Sequence, residues 1–273
     1  MTGASAAASS ASEVLRFEVN ADHVGVITLN RPEARNALTW HMYAELERAV
    51  RSAPMLGVRC IVITGADPAF CSGDDVRQVM GGGEQGKAPA SVTAREPRLT
   101  PAADALLHTD VPVIAAVNGA AVGWGMELAL MADVRIASER AKFAELFVLR
   151  GLVSDVAGLA RLAQLVGREK AAELLFTGDV IDAAEAQHIG LVSRVVPHEQ
   201  LLATAMQLAG RIAANPPLAV QRLKAGLREA LDPDWSNLGS WVSASLGELF
   251  QTDDHREGAR AFLEKRAPNF RGS

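Results

Sequence analysis

The chain has 273 residues and a net charge of −5 at pH 7, with 49% hydrophobic, 22% charged and 5% aromatic side chains. Such a chain can bury a sizeable core, as one large domain or one plus an appendage, and its acidity gives no reason to expect nucleic acid or an anionic membrane as a general partner. Cys60 and Cys71, its two cysteines, form neither a disulfide framework nor zinc-ligand spacing, which points to a reducing cytoplasm.

Residues 1–12 are rich in Ala and Ser, lack a basic start and a long apolar core, and read as a disordered tail. Leu15–Val19 and His23–Leu29 alternate around a turn at Asn20–Asp22, the pattern of a β-hairpin. Leu38, Met42, Leu46, Ala49 and Val50 recur at helical spacing, so Thr39–Ser52 is expected to be an amphipathic helix. Val58–Thr64 reads as a buried strand that runs into GADPAFCSGDDV, a turn of small residues followed by a helix with Asp74 and Asp75 near its start.

Residues 81–97 are polar and glycine-rich and are expected to form a mobile loop. Gly81, Gly83 and Gly86 match a G-x-G-x-x-G spacing, but no strand precedes them and Pro89 follows where a helix should begin, so no dinucleotide site is assigned. Leu99–His108 is expected to be helical. Pro112 then opens a short apolar run, Val113–Val117, long enough for a buried strand and too short to span a membrane. Asn118 and Gly119 break it, and Gly123–Gly125 lead into Met126–Ala132, a segment with the composition of a buried helix.

A strand, a glycine-containing turn and a helix start together leave free amides in a positive potential, which suits an anion or a developing oxyanion. Two such turns, at Cys71–Gly73 and Gly123–Gly125, are able to point one amide each at the same oxygen. The plainer reading of the second turn is close packing by its glycines, with Glu127 complementing the helix dipole.

Val134–Ala137 reads as a strand and Leu159–Val166 as an amphipathic helix. Glu169–Phe176 and Ala183–His188 are expected helices, with Leu191–Val196 a strand between them and the long helix at 201–212. Further helices follow at Ala219–Ala230, Ser236–Phe250 and Asp253–Arg266. Strands alternating with helices up to about residue 196, then helices alone, give an α/β core over residues 13–200 and a helical C-terminal region over 201–273.

NRPEARNAL (Asn30–Leu38), FCSGDD within Ala69–Val76, Pro112–Asp133, GLVSDVAG (Gly151–Gly158) and EGARAFLEKRAPNF (Glu257–Phe270) resemble, in order and at the same spacing, the enoyl-CoA hydratase/isomerase (crotonase) superfamily. The resemblance covers essentially everything after residue 13. It implies a core built as a spiral of ββα repeats, a C-terminal region that makes trimers or dimers of trimers, and an acyl-CoA substrate whose coenzyme A is the only cofactor-like group. It also implies an oxyanion hole made by the backbone amides of Ser72 and Trp124. Trp124 departs from the family, which usually has glycine there, and its indole is expected against the acyl pocket or a neighbouring helix.

Hydratases of this family use two glutamates. Glu127 matches the first, whereas the second position falls on Phe147, which cannot transfer protons. Asp155 lies where several isomerase-like branches carry a functional aspartate, so the resemblance makes it a candidate general base; the alternative is that it only caps the following helix. Glu145 is close by, but strand alternation would point it the same way as Phe147. Arg31, Arg35 and Lys265 match positions that meet the coenzyme A nucleotide, the C-terminal lysine of the family often reaching a neighbouring subunit's ligand, with Asp75 and Val76 on the adenine side; Arg222 and Lys224 are weaker candidates. The histidines show no metal spacing, and no metal is expected.

The expected activity is double-bond isomerisation or hydration of an enoyl-CoA in fatty-acid or related acyl-CoA metabolism, through an oxyanion-stabilised enolate. The alternatives are a crotonase-type hydrolase or C–C lyase, or a non-catalytic acyl-CoA binder. With one carboxylate in place of two, isomerisation is expected to exceed hydration.

Overall fold

The computed structural model describes residues 9–11, 13–76, 78 and 99–273. The glycine-rich segment expected to be a loop, and the helix expected after Asp75, fall outside the described residues apart from the positions just given.

In chain order the elements are β1 (Ser9–Ala11), β2 (Leu15–Val19), β3 (Val24–Leu29), α1 (Trp40–Ser52), β4 (Cys60–Gly65), β5 (Ala69–Cys71), α2 (Pro101–His108), β6 (Val113–Val117), β7 (Ala120–Val122), α3 (Trp124–Met131), β8 (Val134–Ser138) and β9 (Lys142–Ala144). They continue with α4 (Val156–Val166), α5 (Arg168–Thr177), β10 (Ile181–Asp182), α6 (Ala183–His188), β11 (Arg194–Val196), α7 (Leu201–Ala213), α8 (Pro217–Leu231), α9 (Trp235–Leu249) and α10 (Asp253–Glu264). Ser9–Ala11, placed in a disordered tail by composition, instead pairs antiparallel with β2.

The larger sheet has the order β1-β2-β3-β4-β6-β8-β11 and the smaller one β10-β9-β7-β5. In the large sheet β4, β6 and β8 lie side by side and parallel, while in the small sheet β5, β7 and β9 do the same. Each turn of the chain therefore lays one strand on each sheet before its helix, and the next turn advances both sheets by one strand. This is the repeated ββα spiral.

Strand alternation sorts the core. On β6, Val113, Ala115 and Val117 join the main cluster, while Ile114 and Ala116 face the opposite side with Cys60 and Val62 of β4. Leu201, Ala205, Ala209 and Ala213 of α7 cover that second face. The boundary drawn at residue 200 thus separates α7 from the sheet it packs on, and the helical appendage proper begins with α8.

Caps set several helix starts. Thr39 Oγ1 accepts from the Met42 amide at 3.2 Å to open α1, and Asp182 does the same for α6 through the Glu185 amide at 2.9 Å. Every residue of α3 is buried, so any polar group it carries must find a partner inside the protein.

Candidate active site

The two strand-end turns meet. Gly73 has φ of +86°, and a Cβ there would lie 2.9 Å from the Val122 carbonyl and 3.3 Å from the Trp124 amide nitrogen. Glycine is required at this point by both its conformation and the close approach. Two buried asparagines knit the neighbouring loops. Asn36 donates to the carbonyls of Ala66 (2.8 Å) and Ala69 (2.7 Å), and Asn118 accepts from the Gly65 amide (3.2 Å) and donates to Asp67 (2.9 Å).

Beside the junction lies a cleft of about 570 Å³. Arg31, Arg35, Ser72, Asp75, Val76, Trp124 and Phe147, all named from the sequence, line it together with Asp74, Arg150, Phe262 and Leu263. Lys265 does not line it. It ends α10 in a left-handed conformation and is exposed, and Phe262 and Leu263 of that helix line the cleft.

The Ser72 amide is not open, because it donates to the Arg35 carbonyl at 3.1 Å. The Trp124 amide, first in α3, has no intrahelical acceptor. Arg31 is not an open cation either: it holds Asp75 at 3.1 Å and the Ala37 carbonyl at 2.7 Å, so two residues expected at the nucleotide are paired with each other. Arg35 is exposed. Lys224 is buried and does not line the cleft; it is bonded to Asp133 (2.8 Å) and the Val111 carbonyl (2.9 Å).

The carboxylates fall into two groups. Glu127 is fully buried; Ser154 Oγ lies 2.8 Å from its Oε1, and the Gly158 amide donates to its Oε2 at 2.9 Å. The same Ser154 hydroxyl lies 3.0 Å from Glu145, so the two glutamates face each other across one hydroxyl. A hydroxyl has a single proton to donate, so holding both contacts as hydrogen bonds requires a proton on a carboxyl. Burial pushes Glu127 up to about 8, with the nearby Asp155 adding to it. Burial, with the Glu127 charge behind it, raises Glu145 well above the usual carboxylate range. Neither glutamate lines the cleft, and Asp155 does not line it either. Glu145 points away from it because β9 ends at Ala144 and Phe147 already has helical backbone (φ −61°, ψ −44°), so strand alternation does not apply across this step.

The second group surrounds the Trp124 indole. Its Nε1 donates to Asp155 Oδ2 at 3.1 Å, and the Val156 amide donates to Asp155 Oδ1 at 2.8 Å. Asp155 is therefore the cap residue of α4 and a partner of the indole at once. Burial raises its pKa above the usual carboxylate range, partly offset by those two donors. Tyr43 packs edge-on against Trp124 with ring centroids 4.7 Å apart, and its hydroxyl donates to Asp74 Oδ1 at 2.5 Å. Burial lifts Asp74 to about 6; Asp155 pushes it upward, while the Tyr43 hydrogen bond and Arg150 pull it down.

Sequence reading did not assign Tyr43, Asp74, Ser154 or Arg150 to the site. One signal was present, since Tyr43 is the chain's single tyrosine and lies on the helix that follows the NRPEARNAL segment. Among the described residues no group of three His, Cys, Asp or Glu could hold a metal ion, and no helix is long and apolar enough to cross a membrane.

A family profile described as enoyl-CoA hydratase/isomerase matches residues 20–273. A crotonyl-CoA hydratase of Syntrophomonas wolfei is 38% identical, over 91% of this chain and 95% of that protein. The mitochondrial enoyl-CoA hydratase of Pongo abelii is 36% identical, over 91% of this chain and 83% of that one. Among solved structures, an enoyl-CoA hydratase/isomerase from Pseudoalteromonas atlantica superposes with a TM-score of 0.85 at 29% identity, covering 94% of this chain and all (100%) of that chain.

Proposed function

Since the chain belongs to the enoyl-CoA hydratase/isomerase family, we propose that it moves a proton on an enoyl-CoA through a thioester enolate, and that double-bond isomerisation exceeds hydration. The observation that carries this reading is the cleft wall itself. Phe147 lines it where hydratases of the family place their second glutamate, while the Asp155 carboxylate is held against the Trp124 indole, another wall residue.

In this reading the thioester carbonyl lies between the Trp124 and Ser72 amides and displaces the Arg35 carbonyl from Ser72. Donors preset where charge develops contribute about 10²–10³ each in rate. Asp155 takes a proton from one carbon of the dienolate system and returns it at another. Glu127, neutral at neutral pH because of its burial, supports the floor of the site through Ser154 and the Gly158 amide. The coenzyme A carried by the substrate is the only cofactor required, and the two buried free thiols, Cys60 and Cys71, fit a reducing cytoplasm.

The same reading includes assembly as a homotrimer or a dimer of trimers. Leu218, Leu223, Leu227 and Leu231 on α8, Trp241 on α9, and Phe262 and Leu263 on α10 are exposed, more apolar surface than scattered single residues explain.

The test compares turnover of 3-enoyl-CoA thioesters (isomerisation) with that of crotonyl-CoA (hydration), in the wild type and in Asp155→Asn. Isomerisation is expected to be faster and to fall at least about a hundredfold in the variant. Efficient hydration that survives Asp155→Asn would overturn the assignment, and Phe147→Glu is expected to raise hydration.

A further inference from the structure

We infer that Asp74, positioned by Tyr43, is a second proton-transfer residue of this cleft, acting at the carbon next to the thioester carbonyl and leaving to Asp155 the proton transfer at the far carbon. The inference rests on the enolate reading above.

Asp74 stands on the turn after β5, two residues beyond Ser72, and lines the cleft together with Ser72, Gly73 and Trp124. Its backbone is clamped: the Leu38 amide donates to the Gly73 carbonyl at 2.8 Å, and the Asp75 amide donates to the Leu38 carbonyl at 2.9 Å. The Tyr43 hydroxyl fixes Oδ1 at 2.5 Å, and the Tyr43 ring is in turn braced edge-on by the Trp124 indole. Asp74, Ser72 and Trp124 line one cleft, so on this inference the carboxylate lies next to the α-carbon of a thioester whose carbonyl the two amides bind. In the forward step the α-carbon–hydrogen bond breaks, its electron pair moves onto the thioester oxygen as the enolate, and the proton passes to Asp74. In reverse, the enolate electrons take the proton back.

A purely structural acceptor for Tyr43 would not need a charge. Asp74 bonds to a phenol, and Asp155 to an indole and an amide; neither carboxylate sits in an ion pair among the described residues. The groups that act on Asp74 are Tyr43 from α1, Asp155 at the start of α4, and Arg150 before the turn at Gly151. Arg31, in the adjoining loop, is taken up by Asp75. Two acids within each other's field with so little cationic compensation oppose folding, and such arrangements concentrate at sites that use them. Phe147 removes the family's second carboxylate, and Asp74 supplies one on the cleft lining in its place.

The test follows exchange of the α-protons of butyryl-CoA for deuterium in D2O, which isolates proton transfer at that carbon. With Asp74→Asn, exchange is expected to fall by about 10² while folding and acyl-CoA binding persist. The wild-type rate is expected to fall as pH drops through the Asp74 titration. Tyr43→Phe removes a hydrogen bond that favours the ionised form of Asp74, so the acidic limb moves to higher pH. Asp74→Asn exchanging at the wild-type rate overturns the inference and leaves the enolate reading intact. Should Asp74→Asn fail to fold, an acidic limb unmoved in folded Tyr43→Phe overturns it. A wild type that binds acyl-CoA but exchanges none of its α-protons overturns the enolate reading itself, and this inference with it.

Discussion

The indole Nε1 of Trp124 donates to the carboxylate of Asp155 at 3.1 Å, joining the first residue of α3 to the cap residue of α4. The side chain that departs from the family pattern is thereby the one that orients the candidate base. The contact also makes Trp124 both a wall of the cleft and a tuning group for the acid behind it.

Trp124→Phe keeps a ring against Tyr43 but deletes the donor. That hydrogen bond favours the ionised form of Asp155, so its loss raises the pH needed to ionise the base. The acidic limb of isomerisation is expected to move to higher pH, checked by pH–rate profiles. Trp124→Gly also removes the cleft wall, and is expected to change acyl preference while enolate chemistry persists. Complete loss of activity in a folded Trp124→Gly would show that the indole itself is required.

Stability should fall as the solution is made basic. Glu127 is raised from 4.5 to about 8 by burial and by Asp155, so between those values the folded state holds a proton that the unfolded state has released. Its contribution is fully present below about 4.5 and is lost as pH rises through about 8; Glu145, raised for the same reason, acts in the same direction. Urea unfolding from pH 5 to pH 8 is expected to show this decline, and Glu127→Gln to flatten it. A wild type that gains stability over that range would contradict a protonated glutamate pair.

Gly158→Ala is expected to damage the buried carboxyl cluster directly. A Cβ there would lie 2.2 Å from Ser154 Oγ, 2.6 Å from Glu127 Oε1 and 3.1 Å from Glu145 Oε1. Overpacking of this kind costs about 1–3 kcal/mol, and parting the glutamates from their shared hydroxyl adds to it. Denaturant midpoints measure the loss; a midpoint equal to wild type would mean the cluster yields without cost.

Light scattering at micromolar concentration is expected to give a trimer or hexamer mass. Leu223→Asp or Trp241→Asp, each at an exposed apolar position, is expected to lower that mass while leaving the monomer folded. A wild-type monomer would refute the assembly.

Much of the local structure was legible because its cause is local. Val113–Val117 is a strand with the expected bounds, since Pro112 and Asn118 punctuate a continuous apolar run. α1 begins where Thr39 can cap it. β7 was missed: Ala120–Val122 has small side chains and no alternation, and is a strand only because β5 and β9 pair with it on either side. The family motifs marked the two turns and most of the cleft lining, because backbone close approach demands glycine and small residues at set places along the chain. Tertiary packing decided what each ionisable group does. Asp74 meets a phenol 31 positions away, Arg31 is neutralised by Asp75 from 44 positions away, and the Ser72 amide is claimed by Arg35. Glu145 and Phe147 part company because the strand ends between Ala144 and Phe147, which sends one carboxyl into the core and leaves a phenyl ring on the cleft. A motif names the residues near a site, but protonation and pairing follow from desolvation and from neighbours that only the folded chain brings within a few ångströms.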